Sequence, residues 1–342
     1  MSIKTSEEKY REILLGKAMI PYSLGNLENL AIRLATMTEG SLDNLHLCVF
    51  CADHGITDEG VTHSNKIISA QMARAFAQGE GACGLFSRVN KVPLHVIDVG
   101  LENDLENSKV VNCKIARGTR NFLDGRAMSS EEVKKALKVG QRQTEEALNA
   151  GADCIAFGEM GVGNSTIASA IVSRMTGLDA AAVTSCGSGL QSEELAHKIA
   201  VIKSGLEIHQ EKDPLEILAS FGGFEIAAMV GGMLYCHQEK VPILLDGFIT
   251  ESAALLAKGL DPTCTDFMVA THLSAAKGSS EVFGFLNLKP LADLHLQLGE
   301  GTGAVALWPV IRLASHMLHD LKTFKELGVD DSTTELKVLG II

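Results

Sequence analysis

Residues 152–176 read ADCIAF, then GEMGVGNST, then IASAIVSRMT, and the fold is read from how these three pieces join. The first piece is too short for a helix and almost continuously apolar, as a strand covered on both faces must be. The second holds three glycines, which let backbone turn tightly and approach a ligand closely. The third has the spacing of a helix, so the whole reads strand, turn, helix. The same grammar recurs outward in both directions. Apolar runs at 45–50 (LHLCVF), 93–98 (PLHVID), 180–184 (AAAVT), 241–245 (VPILL) and 266–270 (DFMVA) read as strands. Helical stretches are expected at 65–89, 130–149, 164–176, 191–209 and 224–238. Alternating strands and helices imply right-handed crossovers and an α/β fold with a mostly parallel, doubly wound, Rossmann-like sheet. Ligands of such sheets bind at the carboxyl ends of the strands.

The chain ends differ from this pattern. Residues 1–40 are helical in character without a strand, and 304–326 form one long helical pattern with Pro309 near a kink or a helix start. We expect residues 1–40 plus 305–342 to form a small helical domain and 41–304 a large α/β catalytic domain.

Composition narrows the function. The chain has 342 residues, 46% of them hydrophobic, which excludes disorder as the main state. With 30 Lys+Arg against 42 Asp+Glu, the net charge of −12 argues against nucleic-acid or anionic-membrane partners. No apolar run approaches 18 residues and the N-terminus lacks a signal-peptide pattern, so a cytoplasmic location without membrane contact is expected. Eight scattered cysteines then read as reduced thiols, and Cys48-x-x-Cys51 as core positions within a strand. No metal-ligand spacing occurs, and neither metal nor cofactor is expected.

Chemistry concentrates in the turns. In 158–166, Asn164, Ser165 or Thr166 could cap the helix, and its free N–H groups suit a phosphate; a plain tight turn is the other reading. The loop has no Lys closing a Walker motif. Gly299-Glu300-Gly301-Thr302-Gly303 places a Glu between glycines before another helix. Held among apolar neighbours, such a carboxylate suits a general base; exposed in a flexible turn, it only complements a helix dipole. A third turn, Gly187-Ser188-Gly189-Leu190, leads to Lys198, which either offsets a phosphate or is solvated. Asp53-His54-Gly55 ends the first strand without a nucleophile elbow elsewhere, so His54 reads as a structural residue. The run 330–334 (DDSTT) reads as a solvated turn. A nicotinamide-dependent oxidoreductase would need an acidic residue near Val183–Thr184, and none stands there.

Taken together, the turns resemble the nicotinate-nucleotide–dimethylbenzimidazole phosphoribosyltransferase family. The matching stretches are Ala52–Gly55 with Glu59–Val61, Ser69–Met72, Asp98–Gly100, Arg117–Thr119 with Asn121-Phe122, 158–166, Gly222–Met229, Leu245–Ile249 and Leu298–Ala304. They follow the family order over roughly residues 20 to 330. The resemblance implies transfer of the 5-phosphoribosyl group of nicotinate mononucleotide to an aromatic base such as 5,6-dimethylbenzimidazole, giving an α-riboside 5′-phosphate and nicotinate in cobamide synthesis. It implies Glu300 as general base and Glu159 beside the reaction centre. The 5′-phosphate is expected on Gly161, Gly163, Asn164, Ser165 and Thr166, with Gly187, Gly189 and Lys198 nearby, and Gln71 in the base pocket. It further implies a homodimer, or a heterodimer with a paralogue. The chain departs from the family at Cys186, at Thr62–Asn65 and at Lys277–Ser279. These positions bear on the pocket rim, so purine or phenolic acceptors and a weakly active subunit stay open.

Overall fold

Leu45–Ala52 forms β1 with all eight residues buried, the burial pattern of a central parallel strand. Five more parallel strands join it: β2 (Leu94–Gly100), β3 (Val111–Asn112), β4 (Cys154–Met160), β5 (Ile243–Leu245) and β6 (Met268–Ala270), in the order β3-β2-β1-β4-β5-β6. A separate parallel pair consists of β7 (His272–Leu273) and β8 (Ala292–Asp293). The computed structural model describes residues 3–105, 109–187, 189–331 and 333.

The helices are α1 (Ile3–Leu15), α2 (Asn26–Met37), α3 (Ile67–Ala77), α4 (Gly81–Asn90), α5 (Ser130–Asn149), α6 (Asn164–Thr176), α7 (Ser192–Ile208), α8 (Pro214–Phe221), α9 (Phe224–Glu239), α10 (Phe248–Leu260), α11 (Ser279–Leu286), α12 (Thr302–Asp320) and α13 (Phe324–Leu327). The chain moves from β1 to β2 in one direction and, after α5, from β4 to β5 and β6 in the other. Right-handed crossovers put the first connection, α3 and α4, on one face and α5, α9 and α10 on the other. The order reverses between β1 and β4, so the crevice for a ligand opens at their carboxyl ends.

Local chemistry explains where the elements begin. α5 starts at a reciprocal capping box: Glu132 N–H donates to Ser129 Oγ (3.3 Å) and Ser129 N–H to Glu132 Oε2 (2.7 Å). The helix expected over 65–89 is two helices, broken where Gly79 and Gly81 both take positive φ. The strand expected at 180–184 is a 3-10 turn over Ala180–Ala182. There the Asp179 carboxylate accepts the Ala181 N–H (2.8 Å) and Thr184 Oγ1 donates to the Ala180 carbonyl (2.6 Å), local bonds that compete with strand pairing. Pro309 lies inside α12, past its start. Its ring leaves the Val305 carbonyl without an i+4 donor.

Two units are distinguished, residues 44–306 and residues 1–43 with 307–342. The first carries the sheet. In the second, both chain ends interlock: Lys17 Nζ donates to the Leu321 carbonyl (2.7 Å), Ala18 N–H to that of Lys322 (2.8 Å), and Leu42 N–H to Ser315 Oγ (2.9 Å). Of the run 330–334, Ser332 and Thr334 lie outside the described residues. Asp331 is exposed, while Thr333, expected to be solvated, is buried, its hydroxyl folded onto the Asp331 carboxylate. Cys48 and Cys51 are buried within β1, and burial pushes the Cys48 thiol up to about 12, so neither is a ready thiolate.

Candidate active site

A cavity of about 420 Å³ opens at the carboxyl ends of β4, β5 and β6, within the range of small-molecule sites of roughly 300–1,000 Å³. Its walls come from the turn after β4, the turn after β5, the strand β7, the segment 296–300 and the loop 61–64.

The turn after β4 is held from below. Val162 N–H donates to Ser69 Oγ (3.1 Å) on α3, a side chain with no exposed surface. His54 and Glu225, both fully buried, face each other at 3.0 Å (Nε2–Oε1) beneath Gly161 and Gly223. α6 starts at Asn164 with Gly163 as its N-cap at φ 96°, and no side-chain cap is found among the described residues. The expected capping by Asn164, Ser165 or Thr166 is therefore corrected. Asn164 instead turns its amide to Glu159 Oε2, Ser165 Oγ accepts from Lys198, and Thr166 Oγ1 is buried with no hydrogen-bond partner among the described residues. The uncapped helix end leaves its N–H dipoles beside the cavity.

Lys198 is not solvated: it is 1% exposed on α7 and reaches Ser165 Oγ (2.9 Å) and the Ser185 carbonyl (3.4 Å). Burial draws its ammonium down to about 8, against the opposing pull of Cys186. Gly187 lines the cavity close to Lys198 Nζ; Gly189 is exposed and does not line it, and Ser188 lies outside the described residues. Gln71 is exposed on α3, one turn beyond the cavity-lining Ile68, and is not brought into the cavity wall of this unit.

Glu300 is 7% exposed, lines the cavity and takes φ 62°, the left-handed region that its flanking glycines share. It is thus no exposed group in a flexible turn. Burial pushes its carboxyl up to about 7, with the Asp246 charge adding to the rise and the Cys83 N–H in the first turn of α4 opposing it. Its Oε2 is buried and makes no hydrogen bond among the described residues. Three contacts hold the loop that carries it. Gly158 in β4 allows close approach, because a Cβ there would lie 2.6 Å from the Glu300 carbonyl carbon and oxygen. Glu300 N–H donates to Glu159 Oε1 (3.3 Å). Asp246, after β5 and 1% exposed, accepts Gly303 N–H (2.7 Å) and Ala304 N–H (3.2 Å) through Oδ1 and Gly301 N–H (3.0 Å) through Oδ2. The same carboxylate therefore caps α12 and sets the loop.

Glu159 lines the cavity at 5% exposure and joins its two halves, with one oxygen on Asn164 and the other on Glu300. Burial first, then the Asp246, Glu225 and Glu300 carboxylates, push its carboxyl well above the usual range, while the Glu300 N–H opposes them. Asp246, Ser69 and His272 were missed as functional candidates. Ser69 and Asp246 lie in stretches that carry the family resemblance, and Asp246 also directly follows an apolar run, whereas His272 lies in none of these stretches. Among the described residues no group of three metal-ligating side chains is found. Gly158→Ala is expected to push the 299–301 loop out of place and lower kcat by at least about tenfold, measurable beside the melting temperature.

Comparison with known proteins decides the family. A phosphoribosyltransferase family model matches residues 3–329. The nicotinate-nucleotide–dimethylbenzimidazole phosphoribosyltransferase of Chloroflexus aggregans is 39% identical over 90% of this chain and 89% of its own. The chain belongs to this phosphoribosyltransferase family. The family member of Halalkalibacterium halodurans is 35% identical over 92% of the chain and 89% of its own. A solved structure of the family enzyme from Thermus thermophilus superposes with a TM-score of 0.90 at 34% identity, covering 96% of this chain and 99% of that one. That structural likeness spans the α/β sheet expected from residues 152–176. No helix among the described residues is long and apolar enough to cross a membrane.

Proposed function

We propose that the chain transfers the 5-phosphoribosyl group of nicotinate mononucleotide to an aromatic base of the dimethylbenzimidazole type, releasing nicotinate, with Glu300 as general base. The observation that carries this reading is the buried Glu300 carboxyl in the cavity wall, whose Oε2 has no hydrogen-bond partner among the described residues; burial pushes that carboxyl up to about 7. A general base works best when its proton affinity lies near the working pH.

The step balances without a further reactant. A ring nitrogen of the base attacks C1′ from the face opposite nicotinate, and the new N–C1′ bond inverts the anomeric centre. The C1′–nicotinate bond breaks, and its electron pair neutralises the pyridinium nitrogen. The base N–H proton passes to Glu300. The transition state is oxocarbenium-like, so placement of both groups matters more than acid assistance to a leaving group that departs neutral at nitrogen. The 5′-phosphate lies against the Gly161–Ser165 turn with Lys198 offsetting its charge. Glu159 keeps the phosphate turn and the base-bearing loop in register, and Glu159→Gln is expected to reduce turnover.

The sign of the pH response follows from two groups. Glu300 must be deprotonated, so kcat/KM rises with pH through about 7. Lys198 must be protonated, so kcat/KM falls as pH rises through about 8 in the free protein. The expected profile is a narrow bell read by nicotinate release across pH 5.5–9.5, roughly. In Lys198→Met the alkaline limb disappears and KM for the nucleotide rises by about 10–100-fold. The working form is a cytoplasmic dimer of this chain, a reading supported by the family resemblance and tested by sedimentation equilibrium. The assigning experiment supplies nicotinate mononucleotide with 5,6-dimethylbenzimidazole, adenine, phenol or p-cresol separately. Base-dependent nicotinate release supports the reading and names the acceptor; release with none of them rejects it.

A further inference from the structure

His272, the first residue of β7, is 2% exposed and lines the cavity. Its Nδ1 lies 3.1 Å from Thr271 Oγ1, and Nε2 has no partner among the described residues. The Thr271 hydroxyl already donates its single hydrogen to the Leu245 carbonyl (2.6 Å), so it can only accept from the imidazole. Nδ1 therefore carries the proton. Burial lowers the ring's proton affinity, against the pull of Asp246 and Asp293, and favours the neutral form. Nε2 is then a bare lone pair, an acceptor facing the cavity near Gly247, where a Cβ would lie 4.0 Å from it.

Once a bound ligand excludes water from the cavity, such an acceptor costs free energy unless a ligand donor meets it. The proposed substrates offer few neutral donors. The phosphate and the nicotinate carboxylate only accept, and the single ring N–H of the attacking base goes to Glu300. The vicinal hydroxyls of the ribose remain. We propose that His272 Nε2 accepts a hydrogen bond from one ribose hydroxyl of the bound nucleotide, making His272 a residue that selects ribose over deoxyribose. The inference rests on the proposed phosphoribosyl substrate.

The test compares nicotinate mononucleotide with its 2′-deoxy and 3′-deoxy forms. Affinity is measured by calorimetry and kcat/KM by nicotinate release, for the natural chain, His272→Leu and His272→Gln. The natural chain is expected to bind one deoxy form about 5–100-fold more weakly than the ribonucleotide. His272→Leu loses that discrimination, and His272→Gln, whose amide oxygen can accept, keeps part of it. Comparing each variant with the natural chain cancels the intrinsic reactivity of deoxyribosides. Should His272→Leu melt early, Thr271→Val serves instead: it frees the tautomer, and discrimination is expected to fall. Equal binding of all three nucleotides by the natural chain overturns the proposal, as does undiminished discrimination against both deoxy forms in His272→Leu. Discrimination in binding with no nicotinate release from any base leaves the contact standing and rejects the transferase reading instead.

Discussion

Glu300→Gln is expected to lower kcat by about 10²–10⁴-fold, the usual worth of a general base, while KM for nicotinate mononucleotide changes little. Gln keeps the shape of the side chain and its left-handed backbone, and loses only the capacity to take a proton. The buried carboxyl is raised to about 7. The acid limb of the pH profile should therefore vanish in the variant, leaving a rate that no longer rises between pH 6 and 8, roughly. A variant with full turnover, or with the acid limb intact, would show that the proton goes elsewhere. Circular dichroism and the melting temperature separate this chemical loss from a folding loss.

Asp246→Ala is the second large effect, and it acts on both fold and rate. Its carboxylate accepts three backbone N–H groups, those of Gly301, Gly303 and Ala304. Each buried donor left unpaired costs about 1–3 kcal/mol, so the total loss is several kcal/mol, reduced wherever water enters. The same bonds hold the loop that aims Glu300. A loop displaced by about 1 Å lowers kcat by roughly 10²-fold even in the folded fraction. The checks are urea unfolding for the first effect and single-turnover nicotinate release for the second. Asp246→Asn separates them: it keeps one accepting oxygen, so stability recovers more than the rate does. Loss of stability with an unchanged rate would place Asp246 in the fold alone.

Much of this was legible along the chain because its causes are local. Strands β1, β2, β4 and β5 announce themselves as apolar runs too short for helices, since a strand buried on both faces has no polar positions. Helices α5 and α9 follow from the periodicity of 130–149 and 224–238. The glycines of 158–166 and 299–303 mark turns because only they take those backbone angles cheaply. The run 180–184 misled because small apolar residues are also what a 3-10 turn packed beside α6 requires, and Asp179 and Thr184 satisfy the backbone locally.

Other properties depended on residues far apart in sequence meeting in space. Glu300 between two glycines reads along the chain either as a base or as an exposed residue of a loose turn. Its burial, and so its proton affinity, comes from β4, α4 and Asp246 closing round it. Lys198 reads as a solvated helix lysine until Ser165 and Ser185 enclose it. His272 has no motif at all; its role rests on a hydroxyl one residue away that is already committed to Leu245. From the sequence alone came the α/β fold, the turns at its strand ends and the resemblance that names its chemistry. Which groups are desolvated, and thus what each carboxyl, ammonium and imidazole can do at neutral pH, was decided only by the tertiary structure, because desolvation is set by neighbours brought together from distant parts of the chain.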